Sequence, residues 1–498
     1  MKKEYLALKK DDEETYKKKV RKLLPELLLE DQLAAGEIGI AKQVTDPKSE
    51  YPPLALLKGA GIVEERPKNK VVSINGTVIK KVKKRSFTAA KFRPTGLYAP
   101  PGDIITITIP DDLVHKIGVT VGQDNENKIW FNPLSKATQK IGSPYGGLII
   151  IYLKDIDAST RKGMFDVTIN NAVQAPLFNF GTDTNKDWER MKHSASPWSI
   201  LRIPGRVHIY IQTMHVKREK NIEGVMNGVK KTWDVADNLL GIDGSILPGE
   251  EQLHFDPTVG GGLRWDICSG GGKSAVGDGY WVNFLKGHIP IVYHEMGHGF
   301  CYSDLPAMGG QWTAEIVREY IERVRDLKLQ YNDAYSFELP LSVLHRMVSF
   351  KTYNKYRSCS NADNESQYSK GISYYVNDYF NCWTTLYRLP LWEFGFDILR
   401  QVLTADSVST TTYSTKTDRM ADLYCKATKH NLIPMFSFFN IKVSPSVADP
   451  CKKQKSPKLI TKYIKLANCI LMKDIMECVK MPEFPKHTGL PLLSKIKI

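Results

Sequence analysis

The sequence predicts an α+β protein in which a β-sandwich-like domain is followed by a mainly helical domain. Three observations predict this class. Strand patterns, either alternating apolar and polar residues or short apolar runs, recur between residues 91 and 215. Apolar residues at a helical period dominate from about residue 217 to about residue 440. Hydrophobic residues make up 42% and charged residues 25% of the 498-residue chain, which is the balance of a folded globular protein.

Two regions account for the first 215 residues. Residues 1–90 are predicted to be a charged, partly helical N-terminal region, because leucines between Leu23 and Leu29 form an apolar stripe among many charges. Further on, Asp103–Ile109 alternates apolar and polar side chains, and Gly146–Leu153 is a short apolar run. Both are strand signals, and turn residues separate them. We therefore expect residues 91–215 to form the β-sandwich-like domain.

Two further regions complete the chain. Residues 216–445 are predicted to be mainly helical, with a glycine-rich loop over Gly260–Gly279 that interrupts the helical period. Residues 446–498 form a basic C-terminal region in which short apolar runs, prolines and lysines alternate. The pattern does not determine their secondary structure.

The net charge of +15 comes from 69 basic and 54 acidic side chains, and the excess lies towards the two ends of the chain. Basic ends can contact an anionic surface or an acidic glycan, although a solvated face is the favoured interpretation. A nucleic-acid partner is not expected, because the basic run Lys80–Arg85 contains no aromatic side chain for base stacking.

Membrane insertion and disulfide bonding are also addressed by the sequence. The longest apolar run is far shorter than the roughly 18 residues of a membrane span, and acidic residues Asp11–Glu14 occupy the place of a signal-peptide apolar centre. We therefore expect neither a transmembrane segment nor a conventional secretion signal. The eight cysteines include no CxxC pair. Buried free thiols are favoured slightly over disulfides.

The motif that predicts chemistry is His294-Glu295-Met296-Gly297-His298, an HExxH array. On a helix, residues i and i+4 share one face, so both imidazoles can bind one Zn²⁺ while Glu295 stands beside the metal-bound water. Pro290 suits the start of such a helix. The alternative is an amphipathic helix with two solvated histidines. We predict that His294 and His298 are zinc ligands, that Glu295 is the general base, and that residues 216–445 form a catalytic domain.

The third ligand has alternatives at different spacings. The metzincin spacing would use Asp304, but Cys301 stands where that family needs a turn glycine. The gluzincin arrangement takes a glutamate from the following helix, and Glu315 is placed there. We favour Glu315 as the ligand and Glu319, one turn later, as a partner behind the metal ligands. The predicted buried stripe of this helix comprises Trp312, Ile316, Tyr320, Val324 and Leu327.

The chain resembles the enhancin and enhancin-like zinc metallopeptidases, a gluzincin family that includes mucin-degrading peptidases. The resemblance spans about residues 90–445. Four stretches carry it: Phe92-Arg-Pro-Thr-Gly-Leu-Tyr-Ala-Pro-Pro-Gly102, the HExGH form of the motif at 294–298, Thr313-Ala-Glu-Ile-Val317, and Thr417-Asp-Arg-Met420 with Asn431-Leu-Ile-Pro-Met-Phe436.

The resemblance implies one zinc ion on His294, His298 and Glu315, with Glu295 as base. It also implies a glycosylated, mucin-like protein substrate and an extracellular or cell-surface location. Two positions depart from the family pattern: Gly299 stands where asparagine is common, and Glu319 stands where asparagine often follows the third ligand.

The sequence therefore predicts a zinc-dependent endopeptidase that acts on protein or glycoprotein. The alternative is a non-catalytic surface antigen or glycan-binding protein on the same fold. The intact His294, Glu295, His298 and Glu315 favour the enzyme.

Overall fold

A computed structural model of the chain describes most of residues 68–325 and 386–472. The described ranges are 68–77, 81–82, 85–86, 91–100, 103–122, 128–143, 145–153, 163–239, 251–257, 261–264, 273–287, 289–298, 311–325, 386–391, 393–395 and 397–472, with single residues 66, 259, 305 and 347. The helix predicted around Leu23–Leu29 lies outside these residues. The structure has both sheets and helices, which confirms the α+β class.

The chain divides into two compact units. Unit 1 comprises Met1–Trp233 and Ile246–Glu295, and unit 2 comprises Asp234–Ser245 and Met296–Ile498. All of the described sheets belong to unit 1. No helix in the described ranges combines the length and apolar character needed to cross a bilayer.

The first sheet of unit 1 has four antiparallel strands in the order β1-β10-β5-β8. Successive side chains along a strand lie alternately in the core and towards solvent, as in Met164–Asn170, where every second residue is buried. This alternation is the signal that the sequence shows for Asp103–Ile109 as well. The bounds are β1 Lys70–Asn75, β5 Ile104–Thr108, β8 Thr138–Gly142 and β10 Met164–Asn170.

The second sheet has the order β11-β4-β9-β6-β7 and shares an apolar core with the first. Its central strand β9 reads as a continuous apolar run because both faces are covered: Ile149 and Ile151 face the first sheet, whereas Leu148 and Ile150 belong to a second cluster. The bounds are β4 Phe92–Ala99, β6 Gly118–Val121, β7 Ile129–Phe131, β9 Gly147–Tyr152 and β11 Val173–Gln174, and a small ribbon pairs β2 Lys81–Val82 with β3 Arg85–Ser86.

The third sheet is mixed and has six strands in the order β12-β13-β14-β15-β17-β16. It takes strands from both sides of residue 215, so the domain boundary predicted there lies inside one sheet. The glycine-rich stretch Gly260–Gly279 was expected to be a loop, and this is wrong, because it contains β16 and β17. The bounds are β12 Leu177–Asn179, β13 Trp198–Ile203, β14 Val207–Gln212, β15 Glu251–Asp256, β16 Gly262–Arg264 and β17 Lys273–Gly277.

In the sequence, the helices fall between the strands of the third sheet or after its last strand. Their bounds are α1 Asn185–Met191, α2 Thr213–Val216, α3 Ile222–Leu239, α4 Trp281–Leu285, α5 Pro290–His298, α6 Gln311–Val324, α7 Asp397–Val408, α8 Lys416–Thr428, α9 Ile433–Phe438, α10 Pro445–Lys452 and α11 Lys458–Met472. Residues 386–391 are also helical. The C-terminal region, whose secondary structure the sequence left open, therefore begins with two helices, α10 and α11.

A disulfide joins α8 to α10. Cys425 and Cys451 are both 2% exposed and have a Cα–Cα distance of 5.8 Å. Cys469 on α11 is also disulfide-bonded. The interpretation as buried free thiols is therefore wrong for these cysteines, and no cysteine among the described residues is free.

Candidate metal centre

Helix α5 is anchored by a buried apolar stripe at a helical spacing. Ile289, Val292, Tyr293 and Met296 are at most 4% exposed. The helix begins at Pro290, and the amides of Val292 and Tyr293 donate to the carbonyl of Ile289 at 2.9 and 3.2 Å. The stripe fixes the rotation of α5 and so determines the direction of the HExxH side chains.

The structure brings the three polar side chains of the motif together. The ligand atoms of His294, Glu295 and His298 all lie within 4.8 Å of one another. Glu295 is 3% and His298 is 6% exposed, and His294 is half-buried. Burial of His298 argues against the interpretation of two solvated histidines.

This donor set fits a divalent transition metal. Imidazole nitrogens bind zinc at about 2.0–2.1 Å, so two donors on one ion lie roughly 3–4 Å apart, close to the spread of the three side chains here. Imidazole suits zinc, and one carboxylate beside two imidazoles is the composition that the mechanism of an HExxH enzyme requires. Within the described ranges no second cluster of this kind is present.

Gly297 allows the next helix to approach α5 closely. A Cβ atom at Gly297 would lie 2.9 Å from the carbonyl oxygen of Ala314 on α6, 3.0 Å from its carbonyl carbon, and closer still to its Cα atom. Any side chain at 297 would therefore push α6 away. Glu315 directly follows Ala314 on α6, so this contact sets the position of its backbone next to α5. The side chain of Glu315 lies outside the described part of the structure, and its role as a ligand remains a prediction.

Glu319 is buried and paired with a cation that sequence reasoning did not find. Its carboxylate accepts a hydrogen bond from Nη2 of Arg388, and the two side chains are 7% and 4% exposed. Arg388 therefore compensates the buried negative charge of Glu319. One turn later, Glu322 pairs with Arg318 at 3.4 Å. The sequence carries no local signal for Arg388, which is 69 residues away.

Helix α6 is buried on all sides over two turns, because residues 316–322 are all buried. The predicted stripe is correct for Ile316 and Tyr320 but wrong for Val324, which is 50% exposed. The side chain of Trp312 and the whole of Leu327 lie outside the described residues. Burial also raises the pKa of the Tyr320 hydroxyl.

Comparison with known families identifies the sandwich that precedes this centre. Residues 68–170 match the N-terminal domain of M60-like peptidases. The matched segment begins just before β1 and ends with β10, so it covers the two facing sheets except for the edge strand β11. The predicted resemblance to a metallopeptidase family is supported for this segment as a match to M60-like peptidases, and the resemblance to enhancins stays a prediction.

Two relatives match the chain over only part of its length. Antigenic protein P1 of Entamoeba histolytica is 31% identical over 253 residues, which are 43% of this chain and 21% of that protein. TRPM8 channel-associated factor 3 of Rattus norvegicus is 31% identical over 137 residues, 25% of this chain and 15% of that protein. The chain thus spans about a fifth or less of the length of these relatives.

Solved structures share the fold over most of the chain. The catalytic module of the metalloprotease ZmpA from Clostridium perfringens is 13% identical and has a TM-score of 0.54, with coverage of 79% of this chain and 82% of that one. The IMPa metallopeptidase in complex with T-antigen is 15% identical and has a TM-score of 0.55, with coverage of 79% and 52%. At these identities the likeness establishes the fold and not the activity.

Proposed function

We propose that this chain is a zinc-dependent endopeptidase of the M60-like, enhancin-like type, with Glu295 as its general base. The observation that carries the proposal is the group formed on one helix by His294, Glu295 and His298, of which Glu295 and His298 are buried. Two imidazoles and an adjacent carboxylate at this spacing are the parts that metal-assisted peptide hydrolysis needs. His294, His298 and Glu315 would hold the metal.

Zinc held by His294, His298 and Glu315 would lower the pKa of a bound water towards about 7 and would polarise the scissile carbonyl. The carboxylate of Glu295 then accepts a proton from the attacking water and delivers it to the leaving amide nitrogen. Burial of Glu295 at 3% exposure keeps bulk water from competing for that proton. The buried apolar stripe of α5 fixes the rotation of the helix and thereby places both imidazoles near Glu295.

The edge strand β16 provides a place for an extended substrate. Among the strands that the structure describes, it is the last one of the third sheet, and it pairs antiparallel with β17. An extended peptide can add to such an edge through main-chain hydrogen bonds. Gly262 of this strand lies against Glu295, so a peptide on β16 would pass close to the base.

The proposed substrate class is glycosylated, mucin-like protein. IMPa, which shares the fold, has been solved with T-antigen and with an O-glycopeptide. The disulfide of Cys425 and Cys451 supports an extracellular or cell-surface location, because disulfides persist in oxidising compartments. We keep a contact of the basic termini with an anionic surface or glycan as a prediction.

A second candidate is a non-catalytic surface antigen or glycan-binding protein on the same fold. The names of the relatives favour it, since they are an antigenic protein and channel-associated factors. Only the first candidate cleaves its substrate, so the effect of replacing Glu295 on cleavage distinguishes the two.

The test is cleavage of an O-glycosylated mucin, followed by mass spectrometry of the fragments and metal analysis of the purified chain. The enzyme is expected to contain about one zinc per chain, to lose cleavage with a zinc chelator, and to regain it when zinc is restored. Glu295→Gln is expected to lower the rate by several orders of magnitude while zinc stays bound, because glutamine cannot accept the proton.

The matched control is Asp449→Asn, which removes an exposed carboxylate on α10. It is expected to cleave as the wild type does. Glycan binding without cleavage, at normal zinc content, would instead favour the second candidate. A chain that folds but binds no zinc would exclude the metallopeptidase.

A further inference from the structure

Gly262 occupies a position that is restricted by space rather than by backbone conformation. It is the first residue of the edge strand β16 and pairs with Val276 of β17. Its φ is outside the left-handed region that favours glycine, so an L-residue could adopt the same backbone. The reason for glycine must lie in what surrounds its Cα atom.

The space that a side chain would fill is occupied by the candidate base. A Cβ atom at Gly262 would lie 2.9 Å from Cδ of Glu295 and 2.9 Å from Cγ1 of Ile291, and closer still to Oε1 of Glu295. Real Cβ atoms essentially never come within 3.0 Å of a heavy atom outside their own residue and its two chain neighbours. The carboxylate of Glu295 therefore rests against the backbone of β16 itself.

The neighbouring glycine shows that this crowding is local. Among the described residues, a Cβ atom at Gly261 would meet no heavy atom within 4 Å. The two glycines are adjacent in sequence, and only Gly262 faces Glu295. Alanine at either position adds the same single carbon, so the pair provides a matched comparison.

We propose that Gly262 is a positioning residue for Glu295. Because Gly262 lacks a side chain, it leaves room for the carboxylate of Glu295 to lie against strand β16. A methyl group at 262 displaces the carboxylate, because a glutamate side chain moves more easily than a strand or a helix. The effect on turnover rests on the proposed function, whereas the effect on side-chain placement does not. The distances of general-base catalysis tolerate little displacement.

The first test is a double-mutant cycle in thermal unfolding of the metal-free chain. Gly262→Ala is expected to lower the melting temperature by several degrees, and Gly261→Ala is expected to change it little. In the Glu295→Ala background the drop caused by Gly262→Ala is expected to shrink to the part due to Ile291, because the carboxylate is gone. An equal drop in melting temperature in both backgrounds would overturn the proposed contact. This test does not require the chain to have enzymatic activity.

The second test is kinetic and uses the zinc-loaded enzyme. Gly262→Ala is expected to lower kcat at least tenfold with a smaller change in KM and the same zinc content, since the histidines are untouched. Gly261→Ala is expected to retain the wild-type kcat. Equal kcat values for the two variants would reject the positioning role. A wild type without turnover would reject the proposed function instead, and the thermal cycle would still judge the contact.

Discussion

The sandwich of unit 1 and the helices of unit 2 are stabilised in different ways. The sandwich core is an apolar cluster of the two facing sheets, and the buried guanidinium of Arg93 donates to the backbone carbonyls of Asn75, Phe92 and Thr77. Among the described residues of unit 2, buried carboxylates are paired with arginines, and a disulfide joins two helices.

The difference teaches which parts of a fold a sequence pattern can reveal. Apolar burial in a sheet leaves a period-two pattern that is visible along the chain. An ion pair between distant helices leaves no local pattern, because each partner looks like an ordinary surface charge. Unit 2 should accordingly respond to charge, redox and pH changes that leave the sandwich unaffected.

The largest expected effect comes from Arg419→Met. Arg419 is paired with Asp406, which is 1% exposed, and it also donates to the carbonyl of Thr411 at 3.2 Å. Removal of the guanidinium leaves a buried carboxylate without its cation, which costs about 3–5 kcal/mol of unfolding free energy. Hydrogen exchange followed by mass spectrometry should show lost protection in α7 and α8 and none in the sandwich.

The control for this prediction is Lys452→Met, since Lys452 and Asp449 form an exposed pair at 3.0 Å. It should leave exchange in unit 2 almost unchanged. Equal effects of the two substitutions would contradict the distinction between buried and exposed pairs.

A comparable loss in the other unit is expected from Ile107→Ala. Ile107 is fully buried between the two sheets of the sandwich. The deleted methyl and methylene groups and the resulting cavity cost about 2–5 kcal/mol. The loss should be the same at low and high salt and in the presence of reductant, as followed by exchange in β5 and β10. A strong dependence on salt would show that charges also stabilise the sandwich.

Removal of the disulfide is expected to act on unit 2. The bond between Cys425 and Cys451 closes a loop with a sequence separation of 26. Its loss in Cys425→Ala/Cys451→Ala costs about 2–4 kcal/mol, since the unfolded chain gains freedom. Chemical denaturation should reveal the shift in unit 2, and reductant should destabilise the double variant less than the wild type, because the bridge between Cys425 and Cys451 is already absent. An additional shift with reductant would be assigned to the bridge of Cys469.

The smallest effect is a loss of stability in alkali. Burial raises the pKa of Tyr463 on α11 to about 12, from an ordinary value of 10.0. The folded state thus holds the proton more tightly, so this contribution to stability is full below pH 10 and is lost as the pH rises towards 12. Tyr463→Phe should weaken the pH dependence of unfolding in that window. Burial also raises the pKa of Tyr424, so the pH dependence of unfolding should weaken further when Tyr424→Phe is added.

The stretches that carried the family resemblance turn out to have different roles. In Phe92–Gly102, Arg93 holds backbone carbonyls, and Gly96 takes a φ of 75° where the pairing of β4 with β9 is irregular. In the C-terminal stretch, Asp418 accepts a hydrogen bond from the amide of Ser444 at 2.7 Å. These residues maintain the scaffold, so a sequence match to them supports the fold more directly than it supports an activity.

The sequence by itself determined the HExxH helix, the strands of the sandwich and the α+β class, because each depends on a period or spacing between near neighbours. Tertiary structure alone decided that Gly262 lies against Glu295 and that Arg388 pairs with Glu319. It also decided that the third sheet contains strands from both sides of residue 215. Each of these joins residues separated by tens of positions, and such contacts arise from the packing of whole elements, which no local pattern encodes.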